Sequence, residues 1–436
     1  MRKAALHNLG CKVNSYETEA MTQLLKKAGY EIVSFQDQAD VYIINTCSVT
    51  NMADRKSRQM LHKSKKINPD AIVVAAGCYV NADTKKAAED NAVDIVLGNN
   101  CKINIVEALE NYYKDKNNSE MVVDFKEKQE YEELKLDEVS THTRAYIKIQ
   151  DGCNQFCSYC IIPYTRGRIR SRDIDEIEEE VTKLVSKGFK EVVLTGIHLT
   201  SYGVDNNKGS LLEVIMRLDK IEGLQRIRLG SLEPRVITEE FAKTLSSSKK
   251  ICPHFHLSLQ SGCDTVLKRM NRKYTTQEYY DKCCILRKYF NNPAITTDVI
   301  VGFPGETDEE FAKTYEFLKE IDFYRLHVFK YSPRRGTVAE KMPNQIDGNK
   351  KEERSNKLIE LSNNTENKHN KNYIDKTVKV LFEEFEDGFF KGHTTNYMMV
   401  KVAGSEEQLG KFVNKILDVK IKENNDETRE LIGILS

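Results

Sequence analysis

With 436 residues the chain exceeds the size at which one hydrophobic core stops growing, so two or three domains are expected. Lys plus Arg equal Asp plus Glu at 66 each, which excludes a bulk field drawing the whole molecule onto nucleic acid; any such contact must come from local patches. No apolar run approaches the roughly eighteen residues of a membrane helix, and MRKAALHNLG lacks a signal-peptide pattern. The expectation is therefore a cytoplasmic chain whose eleven cysteines are reduced, serving as metal ligands or core residues.

Along residues 1–125, short apolar runs at 3–9, 41–45, 71–76 and 93–97 read as strands, and amphipathic stretches at 16–27, 53–65 and 103–113 as helices. This α/β alternation implies a parallel, flavodoxin-like sheet domain. Residues 126–143 are dense in charge and lose periodicity, which suggests a linker or an added edge strand and a domain boundary. A second domain, 140–370, repeats the strand-helix unit six times, with strands AYIKIQ, EVVLTG, RIRLG, HFHLSLQ, TTDVIVG and RLHVFKY. Six units are too few for a closed eight-fold barrel, so a partial (βα)6 barrel is expected, with its chemistry at the carboxyl ends of the strands. After a helical stretch at 348–372, residues 371–436 alternate in short strands and read as a small all-β barrel of OB-like type.

The strongest chemical signal is DGCNQFCSYC, where Cys153, Cys157 and Cys160 follow the first barrel strand with CxxxCxxC spacing. Three thiolates leave one iron of a [4Fe-4S] cluster open to a ligand. A structural zinc site would need four closed ligands in paired form, which this segment lacks. Cys11, Cys47 and Cys78 each close an apolar strand of the first domain, in NLGC, NTCS and AAGC. Carboxyl ends of parallel strands share one edge, so these three can converge on a second cluster, whereas a single one of them would read as a buried small hydrophobe. GFPGET, at 302–307, has no following Lys-Ser/Thr and is not a Walker phosphate loop.

The cysteine spacing after the first strand of a (βα)6 unit resembles the radical S-adenosylmethionine (SAM) superfamily. With NLGCKVNSYETE, INTCSVT, GCNQFCSYCIIPYTRGRIRSR, DVIVGFPGET and YSPRRGT, the whole chain resembles the methylthiotransferases, built from an N-terminal cluster domain, a radical SAM barrel and a C-terminal TRAM domain. The resemblance implies two [4Fe-4S] clusters, SAM, and sulfide or polysulfide on the N-terminal cluster. It further implies that Tyr159, Gly196 in TGIH, Ser231 and Glu233 in SLEP, and Gln260 line the SAM site. SLEP and TGIH are closest to the MtaB-type branch, which converts N6-threonylcarbamoyladenosine at tRNA position 37 to its 2-methylthio form, using two SAM. Sister branches act on isopentenyladenosine of tRNA and on a ribosomal-protein aspartate. Val338 departs from the proline common after Gly-Thr, which bears on substrate rather than mechanism. The non-enzymatic alternatives are an iron-sulfur electron carrier or an RNA-binding module, neither of which requires six βα units.

The implied partners are the tRNA anticodon stem-loop and an electron donor such as flavodoxin or ferredoxin, acting on a monomer. Arg166, Arg168, Arg170 and Arg172 alternate in TRGRIRSR, so an extended chain puts all four on one face able to grip phosphates. The competing reading is internal salt bridging with barrel carboxylates. Arg334 and Arg335 are further candidates for the nucleoside. From 376 to 436 there are nine Lys/Arg against eleven Asp/Glu, so the terminal barrel offers no net attraction to RNA.

Overall fold

A computed structural model describes residues 1–116, 119–127, 129–137, 143–206 and 209–436. Its first region is a parallel sheet of β1 (Lys3–Asn8), β2 (Glu31–Ile32), β3 (Val41–Thr46), β4 (Ile72–Gly77), β5 (Ile95–Leu97) and β6 (Ser119–Met121), ordered β2-β1-β3-β4-β5-β6. That is the flavodoxin-like order with one further strand. In β3 and β4 every residue is buried because helices cover both faces. Val41, Ile43 and Val74 pack against helices Lys12–Lys27 and Ile105–Asp115 on one side. Tyr42, Ile44, Val73 and Ala75 pack toward helix Asn51–Ile67 on the other.

The central region holds β7 (Arg144–Asp151), β8 (Arg170–Ser171), β9 (Glu191–Gly196), β10 (Arg226–Leu229), β11 (His254–His256), β12 (Ala294–Val301) and β13 (Arg325–Lys330). Two sheets, β10-β9-β7-β8 and β11-β12-β13, are joined by single parallel bridges at Ile227–Ile251 and Leu232–Leu257. The six parallel strands are the six expected units, and β8 is a short antiparallel return after the cysteine loop. HFHLSLQ is a ladder strand only over His254–His256; beyond it the chain pairs through isolated bridges, including Gln260–Val299.

Helix Gly348–Lys371 leads into a closed barrel of β14 (Thr377–Glu386), β15 (Phe389–Thr394), β16 (Met399–Ala403), β17 (Ile416–Asn425) and β18 (Glu430–Leu435). Its core includes Phe390 and Phe412, stacked with ring centroids 4.0 Å apart. The barrel docks on the starts of the central strands: Arg226 and Arg228 donate to the carbonyls of His393 and Thr395, each at 2.9 Å, while both pair with Glu191.

The charged stretch 126–143 is not a free linker where it is described. Leu134 and Leu136 are buried against Tyr16 and Ala20, and the Tyr131 hydroxyl donates to the Lys148 carbonyl at 2.7 Å. The added strand lies earlier, at β6. The expected domain start at Ser140 lies outside the described residues. Among those residues, no helix is long and apolar enough to cross a membrane.

Candidate active site: two cysteine edges joined by buried charge

Cys153, Cys157 and Cys160 occupy the loop leaving β7. Gly152 makes that loop possible, since it sits at φ +71° and a Cβ there would fall 1.9 Å from the Arg168 carbonyl oxygen. The loop is then tied down by backbone bonds: Cys153 N donates to Gly167 O at 3.0 Å and Ser158 N to Met270 O at 3.0 Å. The Arg272 guanidinium donates to Cys157 Sγ at 3.3 Å and to the Ser258 carbonyl at 3.2 Å. Nothing in the sequence singled out Arg272, which lies in a charged run, RMNRKY, that reads as surface. Burial pushes the Cys153 thiol up to about 11 and the Cys160 thiol up to about 12, so both need a compensating cation to ionise.

The SAM-site residues expected from resemblance stand at neighbouring strand ends. Gly196 ends β9, where a Cβ would meet Gln150 Oε1 at 2.9 Å; that same oxygen accepts from His198 N at 2.7 Å. Tyr159 packs edge-on against Phe303. Glu233 is buried and accepts from Arg235 Nε at 2.7 Å, Ser231 is exposed, and Gln260 is buried at φ +74°. Burial, reinforced by Arg272 and Arg235, lowers His198 to about 4, so its ring is neutral at pH 7. Its Nδ1 lies 2.6 Å from Ser201 Oγ, and its Nε2 is buried with no partner among the described residues. In GFPGET, Glu306 accepts from Gly302 N and from Arg354, each at 2.6 Å, which makes this segment a structural turn.

On the first domain, β1, β3 and β4 are adjacent in the sheet, and Cys11, Cys47 and Cys78 lie just past their carboxyl ends. Cys11 is exposed, whereas Cys47 and Cys78 are buried. Gly10, at φ +110°, brings the backbone so close that its Cβ would lie 3.0 Å from Cys47 Sγ. The Cys47 thiol is pushed up to about 12 by burial and then by the neighbouring Cys78 and Cys11. Cys101, Cys252 and Cys283 are also buried.

A fully buried guanidinium joins the two edges. Arg166, six residues beyond Cys160, donates through Nε to Cys78 Sγ at 3.3 Å, through Nη1 to Glu17 at 2.8 Å and Asp151 at 3.1 Å, and through Nη2 to Asn14 at 2.7 Å. Lys148 pairs with Glu17 and with Asp151 at 2.7 Å each, and Lys102 also pairs with Glu17. Arg170 reaches Asp151 at 3.6 Å. Four cations thus face two carboxylates, with Glu132 in the field of Lys148 and Lys102. Asn99 adds a second donor to Cys78 Sγ, at 3.5 Å. Burying excess positive charge is costly unless an anion accompanies it, and a set of thiolates is such an anion. Among the described residues no three His, Cys, Asp or Glu side chains converge on a single-ion site. Separate irons of one cluster, each taking one thiolate, do not require such convergence. Both cysteine sets therefore suit iron-sulfur ligation.

The arginine run does not form the expected phosphate-gripping face. Arg166, Arg170 and Arg172 are buried, the last paired with Glu180, so the salt-bridge reading accounts for all three. Alternation failed as a guide because the chain turns into the two-residue strand β8 and is covered by the first domain. Arg168 alone of the four is exposed, 4.6 Å over the Phe156 ring. Arg334 is also consumed between domains, donating to Asn51, Ser48 and Asp54 at 2.7 Å each, while Arg335 is exposed.

A family model described as Radical SAM superfamily matches residues 147–318, and one described as Uncharacterized protein family UPF0004 matches residues 3–98. A Bacillus subtilis threonylcarbamoyladenosine tRNA methylthiotransferase MtaB is 44% identical over 96% of this chain and 94% of its own length. The chain belongs to the radical SAM methylthiotransferase family. An Aquifex aeolicus protein of the same name is 40% identical over 95% of this chain and 100% of its own. A Clostridium tetani tRNA-2-methylthio-N(6)-dimethylallyladenosine synthase is 37% identical over 94% and 92%. The radical SAM methyltransferase TsrM of Kitasatospora setae shares the fold, with TM-score 0.56 and 15% identity over 76% of this chain and 73% of that one. This methylthiotransferase is thus an enzyme using SAM and a [4Fe-4S] cluster.

Proposed function

We propose that the enzyme converts N6-threonylcarbamoyladenosine at tRNA position 37 to its 2-methylthio derivative. Cys153, Cys157 and Cys160 hold the radical SAM cluster, and Cys11, Cys47 and Cys78 hold a second cluster carrying sulfide or polysulfide. When bound, the two clusters supply the one-electron cleavage of SAM and the sulfur that is transferred, with two SAM consumed and electrons drawn from a flavodoxin- or ferredoxin-type donor. The observation that most supports two clusters is the Arg166 bond to Cys78 Sγ, because it links the radical SAM loop to the edge where the other three cysteines stand.

In this reading Arg272 and Arg166 each give one thiolate a charged hydrogen bond, which favours the ionised ligand. Gly196, Glu233, Gln260 and Tyr159 bind and orient SAM, and His198 Nε2 offers it a hydrogen-bonding position. Water is kept from the reacting atoms by the packed edge between the domains, where helix Lys12–Lys27 lies against β7. With Arg334 and three of the TRGRIRSR arginines engaged elsewhere, Lys12 becomes the cation offered to the threonyl carboxylate. It follows Cys11, is exposed, and forms no ion pair with a described carboxylate. Its electrostatic surroundings include Arg144 and Arg228, and its charge is also felt at His254 and His327. A lysine without a carboxylate partner suits an anionic nucleoside better than the apolar isopentenyl group. The names of the Bacillus and Aquifex relatives support the same branch.

The test is mass spectrometry of tRNA nucleosides from cells lacking this protein. The methylthio mark on threonylcarbamoyladenosine should vanish while that on isopentenyladenosine persists; the reverse pattern overturns the substrate.

A further inference from the structure

Helix Asn51–Ile67 turns Ser57, Leu61 and Ser64 inward, at the i, i+4, i+7 spacing of one helical face. Ser57 pins the helix to the second-cluster edge: its Oγ accepts from Cys47 N at 3.3 Å and donates to Cys47 O at 3.2 Å. The other faces carry the charge. Arg55, Lys56, Arg58, Lys63 and Lys66 line a groove of about 810 Å³ in which Asp90 is the one carboxylate, and Asp90 is already paired with His62 at 3.0 Å. Arg55, Lys56, Arg58 and Lys66 form no ion pair with any described carboxylate, and Arg58 Nε is a buried donor without a partner. His7 and Leu9, at the end of β1, also line the groove.

Concentrated, unneutralised positive charge of this kind is unusual here, because the chain as a whole is neutral. It is also the charge that the expected RNA contacts fail to supply. The terminal barrel is net acidic from 376 to 436, and Arg166, Arg170 and Arg172 are buried. A row of lysines and arginines one helix long, beside the proposed sulfur-carrying edge, matches the repeating negative charge of a nucleic-acid backbone.

We propose that this groove on the first domain docks the phosphate backbone of the tRNA and sets how the modified adenosine enters between the two cysteine edges. The inference rests on the tRNA reading above and assigns it a binding surface. Each phosphate contact contributes a counterion-release slope of about 0.7–0.9 in log affinity against log salt.

The experiment compares full-length reconstituted enzyme with R55Q/K56Q/K66Q and, separately, R58Q, measuring affinity for tRNA bearing N6-threonylcarbamoyladenosine across a salt series. Iron content and thermal midpoint verify that each variant is folded, as expected for the exposed Arg55, Lys56 and Lys66 and checked separately for the half-buried Arg58. The triple variant should flatten the salt slope by roughly 2–3 and weaken binding at least tenfold near physiological salt. Wild-type binding that the variants leave unchanged in affinity and slope overturns the groove alone. Wild-type enzyme that does not bind this tRNA overturns the substrate reading and the groove together. Intact tRNA binding with slowed reduction by an acidic flavodoxin-type donor assigns the groove to that donor and overturns the proposal.

Discussion

The two cysteine edges assemble their sets of three thiols in opposite ways. The barrel set lies within one loop, from Cys153 to Cys160, and its cationic neighbour Arg272 comes from the same barrel. The N-terminal set is spread from Cys11 to Cys78 over three strands, and its cationic neighbour Arg166 comes from the other domain. A local loop can therefore keep its ligand geometry while domains shift. The dispersed edge has its charge balance only while the two domains are docked.

The largest expected effects separate the two edges. Cys→Ala at 153, 157 and 160 should abolish SAM cleavage and halve the iron, whereas Cys→Ala at 11, 47 and 78 should halve the iron and abolish methylthio product while SAM is still cleaved to 5′-deoxyadenosine. Iron analysis and chromatography of both products check this, and product formation by the second variant would place the sulfur source elsewhere.

Next in size is loss of the guanidinium that joins the edges. Arg166→Met takes one buried partner from Glu17 and Asp151, which keep Lys148, Lys102 and Arg170, and should cost about 1–3 kcal/mol, read from denaturant midpoints. Arg272→Met should cost less stability and act on the barrel cluster only. Equal destabilisation by the two would erase the contrast drawn between them.

Glycine substitutions sharpen the comparison further. Gly152→Ala drives a Cβ into backbone at 1.9 Å at φ +71°, so the barrel cluster should be lost from reconstituted protein. Gly10→Ala, also at positive φ, meets Cys47 Cβ at 2.9 Å, a milder overlap than the 1.9 Å at Gly152, so Cys47 should be displaced and partial iron retention is expected.

The smallest effect concerns acid. The Arg269 guanidinium beside Glu310 holds its carboxyl down to about 2 from an ordinary 4.5, and the Arg269 carbonyl accepts from Ser158 Oγ in the barrel loop. Because the folded value is the lower one, this stabilisation is present above about 4.5 and is lost as pH falls toward 2. Glu310→Gln should therefore destabilise slightly at pH 6 and by less at pH 3, where part of the stabilisation is already lost, measured by denaturant midpoints; the pair is partly exposed, so the effect is modest. Glu17, held well below the carboxylate range by Arg166, Lys102 and Lys148 despite its burial, has the same sign at the N-terminal edge.

Sequence alone determined the barrel cysteine loop, the order of βα units and the terminal β-barrel, because spacing within one loop and apolar periodicity within one element are local properties. β2 and β6 escaped it, since EI and SEM carry neither an apolar run, as the equally short β5 does, nor a period. It also brought Cys11, Cys47 and Cys78 into consideration through their strand-end positions, but which strands lie side by side was decided by the sheet order β1-β3-β4. Only the tertiary structure decided what the charges do. Arg166, Arg170, Arg172 and Arg334 look in sequence like any cationic run, yet they lie inside, while Arg55, Lys56 and Lys66 lie on the open face of a helix. A charge is committed by the carboxylate that packing places beside it, and those partners, such as Glu17 for Arg166 and Asp54 for Arg334, come from distant parts of the chain.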